Sequence, residues 1–383
     1  MLVTRLLLLE REKEGESDAA STPSSLRAKR SNKMMFTLHV LWRVRPKQQI
    51  ILMVIKRVLF LVAIKLFLFP VFSFAQLRWQ NVDSMFQPLP RSVHVYFTNE
   101  KIDTGAFTAY YLVGNLKDKK LEFTVDTTLD RRLTPAKFYE KNNQPLAVVN
   151  CTFFSFATNR NLNAVIKNGS MVAYNNHTIA RRGKDTLTYF HPLASAIGIS
   201  KKRKADVAWI FTDSSIKHPI AFEREPMLVK DSYQWVSKFV FAPELHHFPS
   251  REKRRGIKET WKMKTAVGGG PVLIRDGEIK ITNNEELKFP GKAINDKHPR
   301  TAMGYTKDGR LIILVIQGRS ESSGGATLVQ EAQILKDLGC WEALNLDGGG
   351  SSCLLVNGRE TIKPSDKEGQ RPVPAVFFIR VWP

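Results

Sequence analysis

The stretch Asn345-Leu-Asp-Gly-Gly-Gly-Ser-Ser constrains the fold more than any other part of the chain. It lies between two short apolar runs, Trp341 to Leu344 and Cys353 to Val356, each of which reads as a buried strand. Three glycines in a row favour neither strand, because they add backbone entropy to the unfolded chain and no side chain to a sheet. They fit a turn that presents backbone N–H groups and lets a ligand come close. An amide (Asn345), a carboxylate (Asp347) and two hydroxyls (Ser351, Ser352) surround them, a set able to hold an oxyanion or a sugar ring. An ordinary Asp-Gly hairpin turn also joins apolar runs. It needs neither the third glycine nor the polar flank.

The 383 residues suffice for one large domain or two ordinary ones. Apolar residues make up 43% and charged residues 25%, a globular balance that excludes wholesale disorder. The net charge of +22 points either to an acidic partner (nucleic acid, anionic lipid or phosphorylated glycan) or to a solvated basic surface. No Lys/Arg block is interleaved with aromatics as a single-strand binder requires, so nucleic acid is not the expected partner. Cys151, Cys340 and Cys353 match no disulfide framework and no zinc spacing. Cys340 and Cys353 either pair across adjacent strands or serve as small buried hydrophobes.

Residues 1–52 read as an upstream extension without structure of its own, polar and Ser-rich and then basic. Residues 53–75 have a basic start (Lys56, Arg57), an apolar core and a Ser73-Phe-Ala exit, the pattern of a secretory signal peptide. As a membrane anchor the run is barely long enough, and Lys65 would sit near mid-bilayer at a cost of about 3 kcal/mol. Cleavage after Ala75 leaves Gln76–Pro383, secreted or periplasmic, with membrane contact only through an uncleaved signal.

In that remainder, residues 76–144 read as a β-rich part. Val93 to Phe97, Thr108 to Val113 and Leu121 to Val125 are strands, and Thr134 caps a helix that begins at Pro135. Residues 145–383 continue with a buried strand at Leu146 to Val149 and more sheet across 162–221. An exposed turn at Lys201 to Lys204 and an irregular basic insertion at 231–260 follow. Then come a second triple glycine beside a strand (Thr265 to Gly277), an Asp308-Gly hairpin and an apolar strand, Leu311 to Ile316. A capping-box-like helix runs from Thr327 to Leu338 and stops at Gly339. Strand, loop, helix and strand thus lead into the Asn345 turn.

Six stretches together resemble the phosphodiester glycosidase domain family, which includes the enzymes that remove N-acetylglucosamine from phosphodiester-capped mannose. They are Asn150-Cys-Thr-Phe-Phe, Gly268-Gly-Gly-Pro-Val-Leu, His298-Pro-Arg-Thr-Ala-Met-Gly, Gly318-Arg-Ser, Thr327 through Gly339, and the Asn345 turn. They occur in the family's order and span roughly residues 145–380. The family commonly has Gly where Cys151 stands, and often Asp where Gln317 stands; the second change removes a carboxylate. The fold that the resemblance implies is α+β, one catalytic-type domain with a largely mixed β-sheet core and a few flanking helices.

The resemblance also implies cleavage between a sugar's anomeric carbon and a phosphate. Ordinary glycosidases use two carboxylates because an alcohol must be protonated as it leaves. A phosphate ester leaves as a stabilised anion, so one carboxylate with cations on the phosphate suffices. On this basis Asp347 acts at the anomeric centre as general base or nucleophile, and Arg300 and Arg319 grip the phosphate. Asn150 and Asn345 orient sugar hydroxyls or an acetamido group. Backbone N–H groups of Gly268 to Gly270 and of Gly348 to Gly350 stabilise negative charge, so Gly269, Gly270, Gly348 and Gly349 join Ser351 among the substrate-binding positions. His298, before proline, reads as structural, and Glu331 as a first-turn acid favoured by the helix dipole. The set requires no cofactor and designates no metal ligand, although one divalent cation at Asp347 is compatible with it. The expected substrate is a phosphorylated glycan or cell-envelope polysaccharide. The competing class is a non-catalytic module that binds glycan phosphate.

Overall fold

In a computed structural model of the chain, the apolar run at Leu311 to Ile316 is the strand Arg310–Ile316, buried on both faces. Its alternate side chains enter two different cores. Leu311, Ile313 and Val315 face a core shared by three sheets. Ile312, Leu314 and Ile316 face the other way, with Leu328, Ala332 and Leu335 of the helix Leu328–Asp337. A period-two strand with β-branched residues on both faces can satisfy two layers at once, which is why the run shows no polar alternation.

The structure describes residues 57, 77–180, 189–190, 192, 194–222, 257–258 and 260–382. The chain divides into residues 1–72 and residues 73–383, and all the sheets among the described residues belong to the second unit. Residues 1–52, read as an upstream extension, all of the signal-peptide stretch 53–75 but residue 57, and nearly all of the 231–260 insertion lie outside the described residues. An eight-stranded sheet has the spatial order Gln80–Asn81, Val93–Thr98, Ala109–Asn115, Arg310–Ile316, Arg300–Thr306, Cys340–Asn345, Val272–Arg275, Glu278–Ile279. A seven-stranded sheet is centred on Ala205–Phe211, Ala194–Ile199 and Thr265–Gly268. In a five-stranded sheet, Ala147–Asn150 lies between Leu354–Val356 and Ala375–Val381, with Leu121–Thr127 at one edge.

Every pairing among the described strands of these sheets is antiparallel, which corrects the expectation of a mixed sheet. The strands Arg310–Ile316 and Cys340–Asn345 are joined through a helix, the connection that normally makes parallel neighbours. Here Arg300–Thr306 lies between them and pairs antiparallel with both. Helices are few. Pro135–Lys141 starts as expected, with the Thr134 side chain accepting from the Lys137 N–H. Leu328–Asp337 has a complete capping box between Thr327 and Gln330. The fold is therefore mostly antiparallel β with two α-helices among the described residues. Lys201 to Lys204 form the expected turn between Ala194–Ile199 and Ala205–Phe211. The three cysteines are buried and free; Cys340 belongs to the large sheet and Cys353 adjoins the small one, so they act as small hydrophobes.

A buried carboxylate joins the sheets near their ends. Glu286 accepts from the Trp209 indole N–H, the Val272 N–H and the Thr282 hydroxyl on Oε1. Its Oε2 accepts from the Ser195 hydroxyl at 2.6 Å and from the Ser195 N–H. Five donors on one carboxylate leave no room for a donor in its place. Glu286→Gln would set an NH₂ against this donor cluster, so urea denaturation should show a loss of roughly 2–4 kcal/mol.

Candidate active site

Antiparallel register brings the chemistry-bearing loops to one end of the large sheet. Arg300 pairs with Ile316, and Ala302 pairs with Asn345. One strand's start, its neighbour's end and the Asn345 turn therefore share an edge, and Arg319 follows three residues after Ile316. Between them lies a pocket of about 210 Å³. Asp347 and Gly348 to Gly350 form one wall, Arg300, Arg319 and Arg371 provide cations, and Phe153 and Phe289 meet edge to face at 6.1 Å.

Asp347 is held by its backbone. Its N–H donates to the Cys151 carbonyl at 2.8 Å, and its own carbonyl accepts from the Asn150 side-chain amide. The carboxyl is left for other work, since its buried Oδ2 has no hydrogen-bond partner among the described residues. Burial pushes the carboxyl up to about 7, against the opposing pull of the nearby Ser351 hydroxyl, the Arg371 guanidinium and the Gly348 N–H. Asn345 Oδ1 and the Ser351 and Ser352 hydroxyls are also buried without a hydrogen-bond partner among the described residues. Unpartnered buried polar atoms are rare and costly unless a ligand or water completes them. Four of them on one turn make it the candidate binding site.

The three guanidinium groups differ in how far they are committed. Arg300 is almost fully buried and donates from Nε to the Ala326 carbonyl at 2.9 Å and from Nη2 to the Asp296 carbonyl at 3.1 Å. Burial, more than any neighbour, lowers its pKa. Arg371 makes a two-point pair with Asp366, at 2.7 and 2.9 Å. Arg319 is the least engaged, with one contact of 3.4 Å to His298 Nδ1, and its backbone sits at a left-handed φ of 58°. A non-glycine residue rarely adopts that conformation, which here turns the guanidinium toward the glycine turn. A Cβ on Gly349 would come 3.2 Å from Arg319 Nη2.

Several expected roles change. Asn150 is fully buried and does not line the pocket; its Oδ1 accepts from the Thr301 hydroxyl and the Cys353 N–H, both at 3.0 Å. Its side chain bonds the Asp347 backbone and lies outside the pocket wall. Gly269 and Gly270 are not in the pocket wall either. The N–H groups of Gly268, Gly269 and Gly270 donate to the carbonyls of Ala164, Ser195 and Asn345, so none remains for an oxyanion. These glycines serve close packing: a Cβ on Gly269 would lie 2.5 Å from the Asn345 carbonyl oxygen. Asn345 donates from Nδ2 to the Gly270 carbonyl at 2.8 Å and keeps only Oδ1 for a ligand. Gly348 and Gly349 do line the pocket, although the Gly349 N–H is already bonded to the Pro299 carbonyl.

Other residues stand where the sequence reading did not put them. His298 lines the pocket, and burial together with Arg300 and Arg319 holds its pKa below the usual value. Glu331 is fully buried, both oxygens lack hydrogen-bond partners, and burial pushes it up to about 8 despite the pull of Arg300. The helix dipole does not account for that placement. Gln317 bonds Ser320, Ser322 and the Lys363 N–H and lies outside the pocket wall, so the carboxamide at this position ties loops together. Arg371 was invisible in sequence because no local pattern surrounds it, whereas Phe153 stood inside a motif already singled out at Asn150. Among the described residues, Asp347 is the one carboxyl that lines the pocket.

Residues 241–380 match the family model described as Phosphodiester glycosidase. The N-acetylglucosamine-1-phosphodiester alpha-N-acetylglucosaminidase of Mus musculus is 33% identical over 102 residues, 24% of this chain and 20% of that protein. The SPbeta prophage-derived uncharacterized protein YomE of Bacillus subtilis (strain 168) is 42% identical over 73 residues, 19% of this chain and 11% of that protein. The matched stretches thus span a fifth or less of these curated relatives. In fold, the chain is similar to the zebrafish N-acetylglucosamine-1-phosphodiester alpha-N-acetylglucosaminidase catalytic domain auto-inhibited by pro-peptide. The TM-score is 0.50 at 20% identity, over 77% of this chain and 85% of that one. Residues 241–380, a stretch that contains the Asn345 turn, thus match the phosphodiester glycosidase family.

Proposed function

We propose that the chain hydrolyses sugar 1-phosphodiesters, breaking the bond between the anomeric carbon and the phosphate oxygen. The observation that carries this reading is the Asp347 carboxyl, unpartnered at Oδ2, in a pocket with three guanidinium groups and no second carboxyl among the described residues. Such a charge pattern suits a substrate that brings its own anion.

In this mechanism Arg319 binds the phosphate, with Arg300 and Arg371 adding positive field from committed positions. The Asn345 Oδ1 accepts from a sugar hydroxyl or acetamido N–H; N-acetylglucosamine is the sugar that the matched enzymes' names suggest. Ionised Asp347 takes a proton from water as the water oxygen bonds to the anomeric carbon. The carbon–oxygen bond to phosphate breaks, its electron pair stays on the phosphate oxygen, and the guanidinium groups stabilise the monoester that leaves. If Asp347 attacks the carbon itself, water then cleaves the glycosyl ester. The first route inverts the anomeric configuration and the second retains it, so NMR of the first-formed sugar distinguishes them. Neither route needs a strong acid on the leaving group.

Export through residues 53–75 is part of the same proposal and places the reaction outside the cytoplasm. Amino-terminal sequencing of protein recovered outside the cytoplasm should begin at Gln76.

Sugar release from a panel of sugar 1-phosphodiesters, α-N-acetylglucosamine-1-phospho-methylmannoside among them, tests the activity. Asp347→Ala should lower kcat by about 10³-fold or more, and Arg319→Gln should chiefly raise KM. Undiminished binding with no turnover in the unaltered protein would favour a glycan-phosphate-binding module instead.

The same carboxyl sets two pH dependences. As the species that acts is ionised, kcat/KM should rise with pH through about 7. Stability runs the other way. The folded-state value lies above the ordinary one of 3.8, so between roughly pH 4 and 7 the folded protein holds a proton that the unfolded chain has released. This contribution is fully present below pH 4 and lost as pH rises through 7. Asp347→Asn should therefore be more stable than the unaltered protein at pH 8, by roughly 1–3 kcal/mol after allowing for partial exposure, and show no such gain at pH 4. Urea denaturation at the two pH values checks this.

A further inference from the structure

The pocket of about 210 Å³ has room for one sugar ring and its phosphate. A longer glycan phosphodiester must continue over the rim, and the rim next to Arg371 is not featureless. Phe156 is 64% exposed, and its ring centroid lies 5.6 Å from the Arg371 guanidinium and 5.1 Å from that of Arg132. Arg132 also lies 5.2 Å from the Phe154 ring, and the two phenylalanine rings are 4.8 Å apart.

These residues are held in place. The loop that carries Phe156 is closed by hydrogen bonds from the Ser155 N–H to the Arg160 carbonyl and from the Asn159 N–H to the Ser155 carbonyl. Arg371 is fixed by Asp366, whereas Arg132 has no ion pair among the described residues. Stacking of guanidinium on a solvent-exposed ring is a weak interaction. That alone is a weak reason to hold a phenylalanine open to water beside an uncompensated cation. An aromatic face with a free cation next to it is a surface on which a sugar ring can stack and an anion can bind.

We propose that Phe156 and Arg132 form a subsite on the leaving-group side of the pocket for the next unit of a repeating sugar-phosphate chain. The sugar ring lies on Phe156 and the following phosphate on Arg132. The order follows from Arg371, which lines the pocket at the glycine turn and touches Phe156, so a chain leaving the bound phosphate passes it first. This inference rests on the hydrolase reading, and it makes a glycan phosphodiester polymer the preferred substrate over a singly capped sugar.

The test compares three probes: the methyl diester of α-N-acetylglucosamine 1-phosphate, α-N-acetylglucosamine-1-phospho-methylmannoside, and a two-unit oligomer of α-N-acetylglucosamine 1-phosphate. The unaltered protein should show kcat/KM for the oligomer about tenfold or more above that for the methyl diester, with the advantage shrinking at high salt. Arg132→Gln should abolish the advantage of the second phosphate and leave both single-phosphate probes within twofold. Phe156→Ala should lower the mannoside and the oligomer but not the methyl diester. Equal rates on all probes, or Arg132→Gln keeping the oligomer advantage, would overturn the subsite. If no diester is turned over, the hydrolase reading fails by itself, and calorimetric binding of the oligomer decides the subsite. Affinity about tenfold weaker in either variant supports it, and unchanged affinity overturns it.

Discussion

The site depends on one buried side-chain amide. Asn150 ends a strand of the small sheet, donates to the Asp347 carbonyl, and accepts from Thr301 of the large sheet and from the Cys353 N–H. Four segments therefore meet at a carboxamide with no exposure to solvent. In so dry a place each of these bonds is strong, and any one left unmade is expensive. The amide fixes the backbone of Asp347 without touching its carboxyl. Position and reactivity are supplied by different residues.

Around that fixed point the charges are arranged in a graded way. Arg300 and Arg371 are tied down by carbonyls and by Asp366, so they contribute field but little motion. Arg319 has a single weak side-chain contact and can reorganise about an anion. The atoms of Asp347, Asn345, Ser351 and Ser352 that lack partners among the described residues carry a cost that binding would offset. Glu331, buried and unbonded behind Arg300, belongs to the same economy: a nearby negative charge would compensate the buried arginine only when the glutamate is ionised.

Much of this was legible in the residues. Strand Arg310–Ile316 and the helix capped at Thr327 carry local signals strong enough to override context. The glycine turn at Asn345 was readable because its polar flank exceeds what a turn needs. Its twin at Gly268 looked the same in sequence and proved different, since a glycine required for close packing and one required for a ligand leave the same letter. The antiparallel sheet was hidden because Arg300–Thr306 inserts itself between two strands that are joined through a helix. Arg371 reaches the pocket by folding alone, since nothing within a few residues of it distinguishes it from a surface residue, and Phe156 reaches the rim from just beyond the Asn150 motif. Asn150 was found, but as the wrong kind of residue, because burial on both sides of its amide is a tertiary fact.

The strand Ala147–Asn150 has a further meaning for how this molecule can be taken apart. It fills the gap between Leu354–Val356 and Ala375–Val381, and both of those strands lie within the stretch that defines the family, while it does not. A fragment cut at residue 241 would open one edge of Leu354–Val356 and both edges of Ala375–Val381, which pairs also with Leu121–Thr127, and would lose the amide that seats Asp347. The region most recognisable across relatives is thus not a transplantable module. Inheritance of the active site requires a distant segment, nearly two hundred residues upstream, to be inherited with it.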